Sequence, residues 1–559
     1  MTVAAAARHG GRILADALVA QGVKRAFGVP GESFLPVLDG LYDQRERLQF
    51  VICRQEGGAS YMAEACAKLS GEPGVLFVTR GPGATNASVG VHTAMQDSSP
   101  MVIFVGQVGN DMGEREAFQE IDYRRMYGPL AKWVGQIDRT ERIPEYVSHA
   151  FHTATAGRPG PVLLALPEDM LFSTASVADA PRYRAARAAP APRDVEELAK
   201  LLASSSRPLV LLGGGGWTRE ALERLGRWAA RSLIPVVTSF RCQDYIDNRS
   251  RCFAGDVGIG INPRLAQRVK DADLLLAIGP RLDEITTGGY TLLEVPVPRQ
   301  TLVHVHSGPE ELGRVYAARL PINSAMAQFA EALDDVAVDG ARWQEWARSA
   351  RTEYEAWRAP VRMPGPVQLG EIVQWLSQAL PEDAIIANGA GNFAGWLHRH
   401  FVYKRYRTQL APGSGSMGYG LPAAVAAKIA EPDRMVVGWT GDGDFLMNGQ
   451  ELATAAQYGA APIVIVVNNG MYGTIRMHQE RSYPERLSGT ELKNPDFAAY
   501  ARAFGGHGEL VAETAQFAPA FERARASAKP ALIEVRIDPD AITPSKTLSG
   551  IRRAALGRA

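Results

Sequence analysis

Gly441-Asp442-Gly443-Asp444 directly follows the apolar run from Arg434 to Thr440, and Asn468-Asn469 directly follows a second apolar run, from Pro462 to Val467. Each run has the length and composition of a buried strand, and the residues between them, Gln450 to Tyr458, have a helical pattern. A strand, a helix and a strand in this order predict a βαβ unit. The two polar motifs would then lie at the carboxyl ends of neighbouring parallel strands.

The atoms offered by these motifs suit a diphosphate and the metal that neutralises it. Glycines at strand ends let the backbone approach phosphate groups, and helix N-termini favour anions. The Asp442 carboxylate, the Asn469 amide oxygen and the backbone carbonyl of Met471 would form an all-oxygen set of the kind that Mg²⁺ prefers. Either motif alone is typical of an ordinary turn, but the pair on consecutive strands favours a site.

This combination resembles the thiamine diphosphate fingerprint, and the whole chain is similar to the superfamily of acetohydroxyacid synthases and pyruvate decarboxylases. The resemblance implies thiamine diphosphate and Mg²⁺ as cofactors. It implies cofactor contacts from Gly441, Asp442, Gly443, Asp444, Asn469, Met471 and Tyr472, and metal ligation by Asp442, Asn469 and Met471.

Length and charge favour a multidomain protein that acts on small molecules. The 559 residues suggest about three domains, and 60 basic against 60 acidic residues give no net charge to attract nucleic acid or a membrane. The four cysteines show no metal-binding spacing, and no apolar run is long enough to span a membrane. We therefore expect a cytoplasmic protein without nucleic-acid or membrane partners.

Strand, turn and helix alternate along the chain, which predicts an α/β protein of doubly wound parallel sheets. Two segments without apolar periodicity, Ser176 to Arg193 and Trp357 to Pro366, are predicted linkers. The predicted domains are an N-terminal pyrimidine-binding domain over 1–175, a central domain over 194–345 and a C-terminal thiamine diphosphate-binding domain over 366–559.

Glu56, in the motif Arg54-Gln55-Glu56-Gly57-Gly58-Ala59, stands where the family has its activating glutamate. In the family this carboxyl group hydrogen-bonds the pyrimidine ring and selects the tautomer in which the cofactor's own exocyclic nitrogen acts as the base. The alternative is a surface glutamate favoured by a helix N-terminus. The resemblance also implies that Glu56 of one subunit serves the cofactor of another, so that a homodimer or a dimer of dimers carries the active sites at subunit interfaces.

Two further segments resemble cofactor-binding regions of the family. Met417, among the glycines of Gly413 to Gly420, fits the bulky residue that bends the cofactor between its two rings. Upstream, Asn388 to Phe393 matches the strand end that binds the diphosphate, with Gly391 and Asn392 as the expected contacts. Synthases commonly have a Gln-His pair where this chain has Asn392-Phe393.

The reaction depends on the fate of the fragment that remains once a 2-oxo acid has lost carbon dioxide: protonation gives an aldehyde, and attack on a second carbonyl gives an acyloin. The segment Arg115 to Glu120, with Gln119, is similar to a synthase motif and favours carboligation. Glu32 stands where decarboxylases carry an acidic residue, and a carboxylic acid there could protonate the fragment instead; the alternative for Glu32 is an acid at a helix start. His478 stands where synthases usually have Trp, and Arg476 could bind a substrate carboxylate.

The central domain raises the question of a flavin. Acetohydroxyacid synthases bind FAD there, and Leu212 to Trp217 and Gly279 to Glu284 partly match the regions that line that site. His306 replaces an expected acidic residue, and four consecutive glycines are a weak nucleotide signal. These departures predict no bound FAD. The sequence therefore favours an acetolactate synthase-like carboligase, with a simple 2-oxo acid decarboxylase and a flavin oxidoreductase resembling pyruvate oxidase as alternatives.

Overall fold

Three six-stranded parallel sheets form the frame of the chain in the computed structural model, which describes residues 6–557. Helices flank each sheet, and the prediction of three parallel-sheet α/β domains is confirmed. The described residues divide into two compact units: one contains the chain up to Ala186 together with Val425–Ala430, and the other contains the rest. The sheets occur in the three predicted ranges in turn, while the exact domain boundaries stay predictions.

The N-terminal sheet has the strand order β3-β2-β4-β5-β7-β6. Strands β1 and β8, which precede and follow these six strands in the sequence, form a separate antiparallel pair. Its elements are β1 Arg8–His9, α1 Gly10–Ala20, β2 Arg25–Gly28, α2 Leu35–Asp43, β3 Gln49–Ile52, α3 Glu56–Ser70, β4 Gly74–Val78, α4 Pro82–Asp97, β5 Met101–Gln107, α5 Tyr123–Tyr127, β6 Trp133–Gln136, α6 Ile143–Thr155, β7 Pro161–Pro167, α7 Glu168–Phe172 and β8 Thr174–Ala175.

The central sheet has the order β11-β10-β9-β12-β13-β14. Its elements are α8 Pro192–Ser204, β9 Pro208–Leu212, α9 Arg219–Ser232, β10 Val236–Thr238, β11 Phe253–Asp256, α10 Pro263–Asp271, β12 Leu274–Ile278, β13 Thr301–His306, β14 Leu320–Asn323, α11 Met326–Ala332 and α12 Gln344–Trp357.

The C-terminal sheet has the order β16-β15-β17-β18-β20-β19. Its elements are α13 Leu369–Ala379, β15 Ile385–Asn388, α14 Ala394–His400, β16 Gln409–Leu410, α15 Gly420–Ala430, β17 Val436–Gly441, α16 Asp442–Phe445, α17 Leu452–Gln457, β18 Ile463–Asn468, α18 Gly473–Ser482, α19 Phe497–Ala503, β19 His507–Val511, α20 Thr514–Ala526, β20 Ala531–Arg536 and α21 Leu548–Ala555.

The two outer sheets have the same topology. When strands are numbered within each domain, both sheets run second, first, third, fourth, sixth, fifth, whereas the central sheet runs third, second, first, fourth, fifth, sixth. In each outer sheet the order in which strands are added therefore reverses next to the first strand. Ligands of parallel sheets bind at such points.

Apolar runs become the inner strands because helices cover both faces of a parallel sheet. All five residues of β9 and of β12 are buried, as the unbroken apolar sequences predict. The covering helices are amphipathic: α9 buries Leu222, Leu225 and Trp228 against the central sheet and leaves its charged residues outside.

The two-residue strand β16 is held in place by the central domain. The buried carboxylate of Asp244 accepts hydrogen bonds from the backbone N–H groups of Thr408 at 3.0 Å and Gln409 at 3.2 Å. Burial raises the pKa of Asp244 to about 6. A side chain from outside the sheet thus supplies part of the hydrogen bonding that so short an edge strand lacks.

Within residues 6–557, no helix combines the length and the hydropathy needed to cross a membrane.

Candidate active site

The GDG and NN motifs meet at the carboxyl edge of the C-terminal sheet. Strands β17 and β18 are adjacent and parallel, with Gly441 paired to Val467, so Asp442 and Asn469 follow neighbouring strand ends. The buried Asp442 accepts the backbone N–H of Gly470 at 2.9 Å. Gly470 has φ +67°, a left-handed conformation that turns the chain sharply after the strand.

The proposed metal ligands offer oxygen atoms on both motifs. Asn469 Oδ1 accepts the backbone N–H of Met471 at 3.2 Å, and burial raises the pKa of the Asp442 carboxyl above its ordinary value. A divalent cation would offset that unfavourable burial of a negative charge, so the donor set fits Mg²⁺. Among residues 6–557, no group of three or more His, Cys, Asp or Glu side chains is arranged to hold a metal.

A segment that sequence reasoning missed supports this turn. Asn494 Nδ2 donates to Asp442 Oδ2 at 2.7 Å and to Asn468 Oδ1 at 3.0 Å. Backbone bonds from Tyr472 N to Thr490 O and from Leu492 N to Gly470 O fix the rest of the loop. No local motif marks residues 490–494, because their role comes only from packing against the NN turn.

Asp444 joins three parts of the same edge. Its Oδ1 atom accepts the backbone N–H of Ala390 at 3.1 Å and that of Gly418 at 2.9 Å. Burial raises the pKa of Asp444 to about 6, and the nearby Arg241 guanidinium partly offsets that rise. The GDGD motif thus holds the loop after β15 and the glycine-rich turn that contains Met417.

The glycines of this edge are needed because side chains already fill the adjacent space. A methyl group at Gly391 would come within 2.6 Å of the Phe393 ring, and one at Gly441 within 2.7 Å of the same ring. A methyl group at Gly443 would come within 2.6 Å of the Tyr472 ring. Phe393, which departs from the synthase pattern, therefore packs between two of the expected cofactor-binding glycines.

Asn392 and Met417 lie at this edge as well. The side-chain oxygen of Asn392 accepts a hydrogen bond from the Thr474 hydroxyl at 3.0 Å, and the backbone N–H of Asn392 donates to the same hydroxyl at 3.1 Å. These two bonds connect Asn392 to the start of α18. Met417 is half-buried between Gly415 and Gly418, both with positive φ. The structure therefore brings together Gly391, Asn392, Met417, Asp442, Asp444, Asn469, Met471 and Tyr472 at one edge of the C-terminal sheet.

Helix α18 distinguishes Arg476 from its neighbours. Arg476 is buried and paired with the fully buried Glu480, whose carboxylate also forms an ion pair with Arg552 of α21. Arg476 is thus engaged inside the domain rather than directed to a substrate carboxylate. Ile475 and His478 are exposed on the same helix.

The N-terminal sheet carries a second cluster at its own carboxyl edge. Glu56 is the first residue of α3, and its Oε2 atom accepts from Asn86 Nδ2 at 2.9 Å. A methyl group at Gly83 would lie 3.3 Å from Glu56 Oε1 and 2.8 Å from Thr79. Glycine at residue 83 thus allows the Glu56 carboxylate to lie close to the turn after β4.

Gln119 and Glu32 lie near that turn too, and Arg80 connects them. Arg80 Nε donates to the carbonyl of Phe118 at 3.2 Å, while its Nη2 atom lies 3.9 Å from Glu32 Oε1. Gln119, with φ +65°, packs against Gly81. No local motif marks Arg80, because its role comes from partners that are distant in the sequence.

Comparisons with known proteins agree on one family. The N-terminal thiamine pyrophosphate-binding, central and C-terminal thiamine pyrophosphate-binding domain models of the thiamine pyrophosphate enzymes match residues 8–126, 195–333 and 389–535. A probable acetolactate synthase large subunit of Methanocaldococcus jannaschii is 33% identical, with 96% of this chain and 93% of that protein aligned. The chain belongs to the thiamine pyrophosphate enzyme family.

Other relatives of this thiamine pyrophosphate enzyme carry the same name. The acetolactate synthase large subunit of Corynebacterium glutamicum is 32% identical over 92% of this chain and 84% of that protein. The acetolactate synthase isozyme 2 large subunit of Escherichia coli is 31% identical over 95% of this chain and 96% of that protein. The chain is therefore an acetolactate synthase-like enzyme, as the resemblance implied.

The central domain of this thiamine pyrophosphate enzyme uses its glycine run for internal packing. Trp217 Nε1 donates to Gly213 O at 2.8 Å, and the Tyr245 hydroxyl donates to Gly214 O at 2.6 Å. A methyl group at Gly214 would come within 1.9 Å of the Gly279 carbonyl oxygen. Close approach of two strand ends thus accounts for these glycines without a flavin, and the absence of FAD stays a prediction.

Proposed function

We propose that this protein decarboxylates a 2-oxo acid and joins the remaining fragment to a second carbonyl compound, with thiamine diphosphate and Mg²⁺ as cofactors. One observation carries the proposal: Asp442 and Asn469 follow adjacent parallel strands and are linked through the Gly470 turn, in a domain that matches the family's C-terminal cofactor-binding model. Thiamine diphosphate supplies a carbon that adds to the 2-oxo group and allows carbon dioxide to leave.

The C-terminal edge binds the diphosphate end in this proposal. Asp442, Asn469 and the Met471 carbonyl hold Mg²⁺, while Gly391, Asn392 and the Gly441 to Asp444 turn lie against the diphosphate. Asp444 contributes by fixing the Ala390 and Gly418 N–H groups, and so the two loops that carry Gly391 and Met417. Met417, a flexible and polarisable side chain in a glycine-rich turn, would pack against the cofactor.

Glu56 holds and moves the proton that activates the cofactor in this proposal. A carboxyl group at the first turn of a helix is oriented by its partners, and Asn86 fixes one Glu56 oxygen while leaving the other for the pyrimidine ring. The close packing at Gly83 limits the positions open to Glu56. General acid–base groups act over hydrogen-bond distances, so such orientation matters for rate.

The active form is a homodimer, or a dimer of dimers, in which Glu56 of one subunit serves the cofactor bound by another. The support is the family resemblance together with the half-buried state of Glu56, which leaves its carboxylate accessible. Size-exclusion chromatography with light scattering tests the assembly. A monomer with full activity would contradict it.

A second function, release of an aldehyde without carboligation, has one specific observation in its favour. Glu32 Oε1 is exposed at the same edge of the N-terminal sheet as Glu56, and an acid there can protonate the fragment left by decarboxylation. The position of Arg80 argues against aldehyde release. Its positive charge faces Glu32, and its Nε atom donates to the carbonyl of Phe118 in the loop that carries Gln119.

Product analysis by mass spectrometry decides between these functions. The purified enzyme is incubated with thiamine diphosphate, Mg²⁺ and a panel of 2-oxo acids, each alone and paired with aldehydes. Acetohydroxy acids or acyloins are expected, and the panel identifies the acceptor. Aldehydes as the sole products would overturn the carboligase and make Glu32 the leading proton donor.

A further inference from the structure

Arg80 is the one arginine among the described residues that links Glu32, the Phe118 carbonyl and Glu168. It lies two residues after the end of β4, and its side chain is only 9% exposed. Its guanidinium donates from Nε to Phe118 O at 3.2 Å and from Nη1 to Glu168 Oε1, and Nη2 lies 3.9 Å from Glu32 Oε1. The planar guanidinium can serve three partners in three directions, which an ammonium cannot do.

The three partners belong to different parts of the N-terminal domain. Glu32 begins a short helical turn after β2, Glu168 begins α7 after β7, and Phe118 lies in the loop between β5 and α5. Arg80 itself precedes the Gly81-Pro82-Gly83 turn. A methyl group placed at Gly83 would lie 3.3 Å from Glu56 Oε1, so this turn is close to the Glu56 carboxylate. Arg80 therefore bonds the loop that carries Gln119 and places its positive charge 3.9 Å from the exposed carboxylate of Glu32.

The loop over 113–120 is bonded largely within itself, and the sheet anchors the chain again just after it, where Gln107 Nε2 donates to Ile121 O at 2.9 Å. Glu114, Glu116 and Gln119 all have positive φ, and Glu120 accepts the N–H groups of Glu114 at 2.7 Å and Ala117 at 3.0 Å within the loop itself. Phe118 is exposed. The loop is thus a preformed turn whose orientation depends on the Arg80 bond at Phe118 and on the contact of Gln119 with Gly81.

We propose that Arg80 is a positioning residue that sets the partition between carboligation and aldehyde release, an inference that rests on the proposed function. Carboligation needs the second carbonyl held in line with the fragment, and Arg80 bonds the Gln119 loop at the edge of the sheet where Glu56 and Glu32 lie. Protonation to an aldehyde needs no such alignment. Arg80 makes no contact with Glu56, so cofactor activation does not depend on it directly.

The test compares Arg80→Lys and Arg80→Gln with the wild-type holoenzyme, using pyruvate as substrate and mass spectrometry of both products. We expect the ratio of aldehyde to carboligation product to rise by about tenfold or more, because misplacement of a reacting group by about 1 Å costs far more than that. Consumption of pyruvate should fall less than carboligation. A lower fraction of folded enzyme would reduce both products equally and leave the ratio unchanged.

Arg158→Lys is the matched control. Arg158 is also buried, donates from Nε to Ser98 Oγ at 2.9 Å and from Nη2 to Met95 O, and precedes β7 at the opposite edge of the same sheet. We expect the wild-type product ratio in this variant. An unchanged ratio in both Arg80 variants, or an equal change in Arg158→Lys, would overturn the proposal.

Hydrogen exchange supplies a readout that needs no turnover. Amides of residues 117–120 should exchange faster in Arg80→Lys than in wild type, and unchanged exchange there would refute positioning of the loop. A wild-type enzyme that makes only aldehydes would refute the proposed carboligase function and the partition role together. Faster exchange in the variant would then still show that Arg80 holds the loop.

Discussion

The carboxylate of Asp444 lies directly against the α-carbon of Gly389, so that a methyl group at residue 389 would come within 1.9 Å of Asp444 Oδ2. Gly389 O in turn accepts from Asn388 Nδ2 at 2.9 Å and from Arg241 Nη2 of the central domain at 3.1 Å. The loop after β15 is thus fixed on both sides, by an acid from the GDGD motif and by an arginine from another domain.

Gly389→Ala should weaken thiamine diphosphate binding by about tenfold or more. The added methyl group displaces Asp444, which then releases the N–H groups of Ala390 and Gly418; a loss of one such charge-assisted bond costs about 1.5–3 kcal/mol. Titration of cofactor against intrinsic fluorescence measures the change. Gly226→Ala, at a helix position with no atom within 4 Å, should bind the cofactor as wild type does.

Glu56→Gln should lower turnover by about 100-fold or more, because an amide cannot exchange a proton with the pyrimidine ring. The hydrogen bond from Asn86 is kept by the glutamine oxygen, so folding should be unaffected. Steady-state rates at saturating cofactor measure the loss. Glu46→Gln, an exposed position before β3, serves as the control, and near wild-type turnover in Glu56→Gln would show that the activating acid lies elsewhere.

Asp442→Asn should weaken the binding of Mg²⁺ and, with it, that of thiamine diphosphate. The substitution removes the one carboxylate of the proposed set while keeping an oxygen for Gly470 N. Calorimetric titration of cofactor with and without a chelator tests this expectation, and wild-type activity lost on chelation should return with Mg²⁺. Asp433→Asn, in the exposed turn before β17, is the control that should retain both affinities.

Arg552→Ala should lower the free energy of unfolding of the wild-type chain by about 1–3 kcal/mol, since it leaves the buried Glu480 carboxylate with one fewer charged partner. The hydrogen bond from Arg552 is the main cause that lowers the pKa of Glu480 from its ordinary 4.5 to about 2. A lowered pKa in the folded state contributes stability above about pH 4.5 that is lost as the pH falls toward 2. Urea unfolding at several pH values should show this acid dependence reduced in Arg552→Ala and unchanged in the exposed Arg553→Ala.

The purified protein should be colourless, because the central glycine run is occupied by its own domain. The measurement is the visible absorption spectrum of the protein and of the supernatant after denaturation. A flavin spectrum in stoichiometric amount would contradict the prediction and revive the oxidase alternative.

The apolar runs before the GDG and NN motifs predicted β17 and β18, but the edge strands carry no such signal. Strands β6, β11, β14, β16 and β19 all lie at the edges of their sheets. An edge strand needs fewer apolar residues, as His507 to Val511 illustrates, and β16 depends on Asp244 from another domain. Such long-range support leaves no periodic pattern to read.

The candidate site was predictable where chemistry is carried by a local motif, as at Asp442, Asn469 and Glu56. Arg80, Asn494 and the bridging contacts of Asp444 were not, because each depends on partners distant in the sequence. The helical pattern predicted from Gln450 to Tyr458 corresponds to α17, Leu452–Gln457, which a short 3-10 turn over Gly449–Glu451 precedes.

The common strand order of the outer sheets means that each loop of one has a counterpart in the other. The third strand is followed by Arg80 and a proline turn in the first domain and by the Asp442 turn in the last. The two sheets thus provide the same frame, and the differences between them lie in the loops that follow their strands. Substitutions in those loops can therefore change what the chain binds without altering the strands that support them.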